Sequence, residues 1–310
     1  MAPCESPRVT IGLPVYNGAN YLAGALDSWL AQDFGEFELV VSDNGSTDET
    51  PRILAGYEEK DSRIRVIRRE ATVPAADNFN GLVEEAGAPY FTWSAHDDYR
   101  EPSFLRKLVE VLDEDPDIIL AYSQVNHIYD ESPDGDSGGK SRTYYKKNPP
   151  GCEATGLGRA IGMIRRSHSY GLVFGLFRLD ALKKTHLLVT PMGLVSDVGL
   201  MLEVATHGRC SCVPEILMHI RRHGGCLSVK KDDPLYSSGR GRMIDDDARN
   251  LIHSFPLTPA ERDLLLKELA IWCRKGRKPR RSWMKIKALR QAYVHGGRWW
   301  IDVMRSLRGV

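Results

Sequence analysis

From Arg8 to Val125 the chain alternates short apolar runs with stretches of helical periodicity, which restricts the available folds more than any other feature. Strands are expected over Arg8 to Pro14, Phe37 to Ser42, Ile64 to Ile67, Tyr90 to Ser94 and Ile118 to Tyr122, where β-branched and aromatic residues concentrate. Between them, Asn20 to Gln32, Thr50 to Lys60, Ala76 to Ala86 and Pro102 to Asp113 carry apolar residues at helical spacing. Strands that alternate with helices in this way imply an α/β protein: a mostly parallel sheet flanked by helices on both faces. Ligands of such sheets sit at the carboxyl ends of the strands, so residues directly after each strand are the ones to inspect.

Residues 130–151 are polar and rich in Gly and Pro, and are expected to form a surface loop. Helix and strand patterns resume from Gly158 to Ile220, and past Ser228 the pattern is helical, with linkers around Asp232 to Pro234 and Gly276 to Pro279. The expected organisation is therefore a catalytic domain over 1–228 and a helical, basic C-terminal extension over 229–310. With 310 residues, 42% of them hydrophobic, the core needs no covalent staples. The six cysteines are scattered, and the one close pair, Cys210 and Cys212, lacks the spacing of zinc or redox sites. Free thiols, no apolar stretch of spanning length and no signal-peptide h-region lead to the expectation of a cytoplasmic protein.

Four groups of polar residues follow expected strands or open expected helices. Asp43 opens the turn Asp43-Asn44-Gly45-Ser46-Thr47-Asp48, which by composition alone reads as a helix-capping turn. Asp97 and Asp98 close the fourth strand; adjacent carboxylates there suit Mg²⁺ or Mn²⁺ bound with a phosphate, or else form a solvated turn. Asp197 precedes an apolar helical stretch, where N-capping is the alternative to a chemical role. Arg221, Arg222 and His223 precede a glycine pair, and such a cluster either grips phosphate or is a solvated basic turn.

Taken in order, Pro14 to Gly18, Val40 to Asp48 and Trp93 to Asp98 resemble the inverting family 2 glycosyltransferases of GT-A fold, over roughly residues 8–228. The resemblance implies a metal-assisted transferase of the hexosyl type, taking its sugar from a nucleotide donor (a UDP-sugar by default) to a glycan or lipid-linked acceptor, with inversion. It places Pro14, Tyr16, Asn17 and Asp43 around the nucleoside, with Arg69 (or Arg68) and Asn78 near the base. The family's acidic motif is commonly Asp-x-Asp-Asp and here is Ala95-His96-Asp97-Asp98, so divalent cation binding rests on Asp97, helped by Asp98. Asp197 corresponds to the catalytic base, with Ser196 in place of the family's usual Glu. Arg221, His223 and Ser228 correspond to the segment that closes over the donor diphosphate, where His223 can supply a metal ligand. The lost carboxylate and Ser196 also raise the alternative of a non-catalytic nucleotide-sugar-binding relative. A nucleotidyltransferase would need a Gly-rich phosphate loop after the first strand, and Pro14 to Gly18 is not one.

The formal net charge of +1 hides an asymmetry. From Trp272 to Val310 there are twelve Lys and Arg against Asp302 alone, leaving thirty basic and forty acidic residues elsewhere. Trp283, Ile286, Leu289, Arg290 and Tyr293 follow helical spacing within that basic tail, with Lys285, Lys287 and Arg281 on other faces. Basic amphipathic segments with aromatics bind anionic membrane surfaces, here the inner face of the membrane. Packing of those aromatics on the catalytic domain is the alternative, and without a recognised module nucleic acid is not expected as a partner.

Overall fold

A computed structural model describes residues 6–130, 141–144, 149–166, 169–189, 196–223 and 246–275. The first half runs β1 (Val9–Val15), α1 (Ala19–Leu30), β2 (Phe37–Asp43), α2 (Thr50–Lys60), β3 (Ile64–Arg68), α3 (Ala75–Glu84), β4 (Tyr90–Trp93), β5 (Tyr99–Arg100) and α4 (Phe104–Glu114). The second half runs β6 (Ile118–Tyr129), β7 (Ser141–Tyr144), α5 (Gly156–Arg166), a 3-10 turn (Ser169–Phe174), β8 (Leu176–Arg178), α6 (Leu179–Leu182), α7 (Ser196–His207), β9 (Arg209–Arg222), α8 (Asp246–Ser254) and α9 (Pro259–Lys275).

Among the described residues the strands form one sheet in the order β3-β2-β1-β4-β8-β6-β9-β5, with β7 added on β6. The expected parallel order holds for β3-β2-β1-β4. Beyond β4 the sheet is mixed: β8 is antiparallel to both β4 and β6, and β5 is antiparallel to β9, while β6 and β9 are parallel. The strands β1, β4, β6 and β9 therefore point the same way. Part of the expected surface loop is instead strand: Ser141 to Tyr144 pairs with Val125 to Ile128. β6 extends well past the sheet centre and needs a partner there, and Thr143 and Tyr144 are residue types that suit one.

The period-two pattern of β1 and β2 sends side chains to two apolar layers. Val9, Ile11, Leu13 and Val15 of β1, with Leu39 and Val41 of β2, face α1, α2 and α4. α4 buries Phe104, Leu105, Leu108, Val109 and Leu112 in this layer and stops at Glu114, because Asp115 precedes a proline and takes an extended conformation. Val40, Phe91, Trp93, Leu120 and Tyr122 face the other layer with α3, α5 and α7. Gly12 lets α3 approach β1, since a Cβ there would meet Phe91 at 2.8 Å and Leu82 at 2.9 Å. Leu251 and Ile252 of α8 and Phe255 just after it, with Leu265, Leu266 and Leu269 of α9, are buried in this same second layer. Ser228, the linkers near Asp232 and Gly276, and the basic tail from Gly276 to Val310 lie outside the described residues.

Candidate functional site

At the carboxyl rim of the parallel strands, the ends of β1 and β2 are in register, Pro14 opposite Ser42 and Val15 opposite Asp43. The turn after β2 is in large part a cap, but for a different helix from the one that follows it. Ser46 Oγ accepts from the Asn17 amide at 2.9 Å, Thr50 Oγ1 from the Gly18 amide at 2.9 Å, and Asp48 Oδ2 from the Ala19 amide at 3.2 Å. These satisfy amides at the head of α1 that would otherwise need an anion or water. Asn17, held at φ 49, returns the bond by accepting from the Thr47 amide at 2.9 Å. Its side chain thus fastens the two loops together.

Asp43 stands out from this turn. Its Oδ1 accepts from the Ser46 amide at 2.9 Å, but its buried Oδ2 has no hydrogen-bond partner among the described residues. Arg68 Nε lies 3.8 Å from that oxygen, too far for a hydrogen bond, on a side chain that is 60% exposed. Asn78 is a buried strut: it accepts from Ser42 Oγ at 2.6 Å and from Arg69 Nε at 2.9 Å. Arg69 is thereby fixed beside Asp43, whose carbonyl accepts from its amide at 2.9 Å. Tyr16 stands half-exposed at the rim, and Pro14 is buried in β1.

A second cluster forms where β4 ends. The pairing of Tyr99 with His219 and of Arg100 with Met218 lays the end of β9 against the acidic motif, joining segments more than a hundred residues apart. The Arg221 amide donates to Asp98 Oδ1 at 2.9 Å, Arg221 Nε to the Asp97 carbonyl at 3.3 Å, and His223 Nε2 lies 3.0 Å from Asp97 Oδ2. Burial, reinforced by the charge of Asp97, pushes the Asp98 carboxyl up to about 7. Arg100 opposes that shift from within a cage of Trp29, Phe104 and Phe174, at 5.0, 5.8 and 5.8 Å from the ring centroids. Its guanidinium makes no hydrogen bond among the described residues, and burial brings its pKa down to about 10. His96 is at the motif's variable position, next to the Ala95 that stands in place of the family's first carboxylate. It packs on Gly18, where a Cβ would meet its ring at 2.6 Å, and burial lowers its pKa.

Two residues in this cluster escaped the sequence reading. Asp130 accepts from Arg221 Nη1 and from Tyr21 Oη, both at 2.7 Å. The ring of Tyr21 lies under the Arg221 guanidinium at 5.0 Å and beside the His223 ring at 4.5 Å. Asp130 immediately follows β6, as Asp97 follows β4 after a short turn, so an acid after a strand was the signal available for it.

Asp197 is in the first turn of α7, and no side chain among the described residues bonds to it. Its Oδ1 accepts from the Val198 amide at 2.8 Å, and burial pushes its carboxyl up to about 7 against that bond. α7 passes through Gly208 alone into β9, which starts opposite Ile118 at the far edge of the sheet. It also packs against the 3-10 turn that leads into antiparallel β8. Its first turn, Asp197 included, therefore stands at the acidic rim. Of the expected site residues, Asp97, Asp98, Arg221 and His223 form one cluster, and Asp43, Arg69 and Asn78 another. Asp197 shares their rim, and Ser228 lies outside the described residues.

A parallel half-sheet with acids at its carboxyl rim, continued by a mixed half that brings a basic strand end back to them, is the GT-A architecture of glycosyltransferases. The sequence pattern of the family described as "Glycosyl transferase family 2" matches residues 10–170, just over half of the chain. The chain belongs to glycosyl transferase family 2. It is 35% identical over 117 residues to an uncharacterized glycosyltransferase of Rickettsia prowazekii, a match covering 37% of this chain and 36% of that protein. It is 36% identical over 101 residues to the glycosyltransferase GlyA of Streptococcus pneumoniae, covering 33% of this chain and 14% of GlyA. The chain thus spans about a third or less of these relatives' length. Among solved structures, residues 1–349 of S. aureus TarS in complex with UDP superpose with a TM-score of 0.64 at 20% identity, covering 85% of this chain and 70% of that one. The mannosyltransferase PcManGT of Pyrobaculum calidifontis, in complex with GDP-Man and Mn²⁺, gives a TM-score of 0.55 at 16% identity, covering 97% and 79%.

Proposed function

We propose that this chain transfers a hexosyl group from a nucleoside-diphosphate sugar, by default a UDP-sugar, to a hydroxyl of a glycan or lipid-linked acceptor with inversion. The observation that carries this reading is the meeting of Asp97 and Asp98 with Arg221 and His223, a charged cradle at the same rim as the unpartnered oxygen of Asp43. A nucleobase N–H would give that buried oxygen the bond it lacks, once the Arg68 side chain gives way. Arg69, held by Asn78, stands at the same end, with Tyr16 and Pro14 completing the nucleoside side. The fold neighbours TarS and PcManGT, which hold UDP and GDP-Man, support a nucleotide-sugar donor.

Inverting transfer is a single displacement: the acceptor oxygen attacks the anomeric carbon as the nucleoside diphosphate leaves from the opposite face. A neutral hydroxyl is a weak nucleophile, and a positioned base that removes its proton supplies roughly 10²–10⁴-fold. Asp197 is that base. Its raised pKa matches the task, since a base poised near the working pH is both ionised and able to hold a proton. The guanidinium of Arg221 stabilises charge that grows on the leaving diphosphate.

Among the described residues no three His, Cys, Asp or Glu gather to hold a metal by themselves. The Asp97 carboxylate and the His223 imidazole nonetheless form an oxygen and nitrogen pair that fits Mn²⁺ or Mg²⁺ completed by donor phosphate oxygens. When bound, such a cation would neutralise diphosphate charge.

A panel of nucleotide sugars, with and without Mn²⁺, tests the donor assignment by thermal shift. The right donor at a hundred times its Kd should stabilise the chain by about 2.7 kcal/mol, and Asp43→Ala should abolish the shift. A panel in which no nucleotide sugar stabilises the protein would overturn the assignment.

No helix among the described residues is long and apolar enough to cross a membrane. The twelve basic residues of the tail support peripheral binding to anionic lipid, each such residue near the surface contributing about 1 kcal/mol. The full chain should sediment with vesicles of anionic phospholipid, and a chain ending at Lys275 should not. Equal sedimentation of the two would remove the tail from that role.

A further inference from the structure

Among the described residues, Arg221 bonds to two different parts of the fold. Its amide and Nε bind the acidic motif, whereas its Nη1 points to a different element, the end of β6. There Asp130 is held in place from both directions. Its own amide donates to the Arg222 carbonyl at 3.2 Å, and its carboxylate is shared between Arg221 on Oδ1 and the Tyr21 hydroxyl on Oδ2, each at 2.7 Å. Tyr21 in turn supports the guanidinium plane from below at 5.0 Å and touches the His223 ring. Three strand or helix ends, from α1, β6 and β9, thus fix one planar cation within reach of Asp97. A guanidinium recognises phosphate through a fixed fork of donors, so its orientation decides what it can grip. Arg221 and Asp130 are each only about a quarter exposed, so the pair is sheltered enough for its geometry to count.

We propose that Asp130 and Tyr21 act as one positioning unit that orients the Arg221 guanidinium for the donor diphosphate. This rests on the donor reading above and adds to it two residues outside the family motifs. The two residues work through Arg221 and leave the nucleoside end, some strands away around Asp43, untouched.

That separation gives the test. Affinities for UDP and for uridine are measured by calorimetry on the full chain, its Asp130→Ala, Asp130→Asn and Tyr21→Phe variants, and the double variant Asp130→Ala/Tyr21→Phe. Asp130→Ala should weaken UDP on the order of tenfold, the loss of one bond to a charged group, while uridine affinity stays unchanged. Tyr21→Phe keeps the ring and loses only the hydroxyl, so it should weaken UDP less. The double variant should be no worse than Asp130→Ala, because both changes act through one carboxylate. Asp130→Asn, which keeps an acceptor for Arg221, should recover part of the loss. Equal loss of UDP and uridine, unchanged UDP binding, or additive effects of the two substitutions would overturn the proposal. Tyr21→Phe keeps the comparison open if Asp130→Ala does not fold. If the unaltered chain binds neither UDP nor any other nucleoside diphosphate, the donor reading fails and this proposal with it; normal binding left unchanged by Asp130→Ala sinks this proposal alone.

Discussion

Asp197→Asn should lower turnover by about 10²–10⁴-fold and leave donor affinity within about twofold of the original. The substitution keeps shape and keeps an oxygen for the Val198 amide, so the first turn of α7 should fold as before. It removes only the ability to accept a proton. In the unaltered enzyme turnover should rise with pH through about 7, because the buried carboxyl must lose its own proton before it can take one from the acceptor. Asp98 titrates in the same range, so the pH limb by itself does not identify the base. The variant does: its residual activity should lack the component due to Asp197. The same group leaves a mark on stability. Its pKa is higher folded than unfolded, so the folded chain holds the proton more tightly. Its contribution to stability is full below about 4 and declines as pH rises towards about 7. Asp197→Asn should therefore flatten that decline in a series of thermal melts. Near-normal turnover in the variant would show that another group takes the proton.

How far the site could be read from sequence depended on how long each element is. β1, β2 and β4 carry enough residues for periodicity to show, and Asp43, which ends β2, and Asp97, which follows β4, were singled out by that position. Asp130 occupies the same kind of position after β6, yet it opens a stretch rich in Gly and Pro whose composition hid it. β5 has two residues and β8 three, too short for any alternation to register, and these two strands turn the second half of the sheet from parallel to mixed. β5 also brings Arg221 and His223 to Asp97, so the meeting was expected from family resemblance and not from any local pattern. Asn17 and Asn78 were expected at the nucleoside from the family resemblance; in the fold the side chain of Asn17 bonds Thr47 and that of Asn78 bonds Ser42 and Arg69, which also ties together the loops there. Arg100 had no sequence signal at all. A lone arginine reads as solvated, and only the tertiary fold reveals three aromatic rings around it.

Asp97→Ala should differ from Asp197→Asn in kind. It should lower kcat/KM for the donor by about 10²–10³-fold, through both affinity and rate, because the proposed function has the cradle face the diphosphate in the ground state and more strongly as charge develops on it. Arg221 is attached to Asp97 through the backbone carbonyl and to Asp98 through its amide, so both anchors of the strand end survive the loss of the side chain. What disappears is the carboxylate 3.0 Å from His223, and with it the oxygen and nitrogen pair that suits a divalent cation. The response of activity to added Mn²⁺ should fall with the donor affinity. Adding His223→Ala should cost little more than Asp97→Ala alone, since the two side chains form a single pair. Independent, additive losses would mean that the two residues serve different parts of the donor. An Asp97→Ala enzyme with normal kcat/KM and a normal Mn²⁺ response would place the diphosphate elsewhere on the rim, with Asp43 and Asp197 left to define a site that this cluster merely borders.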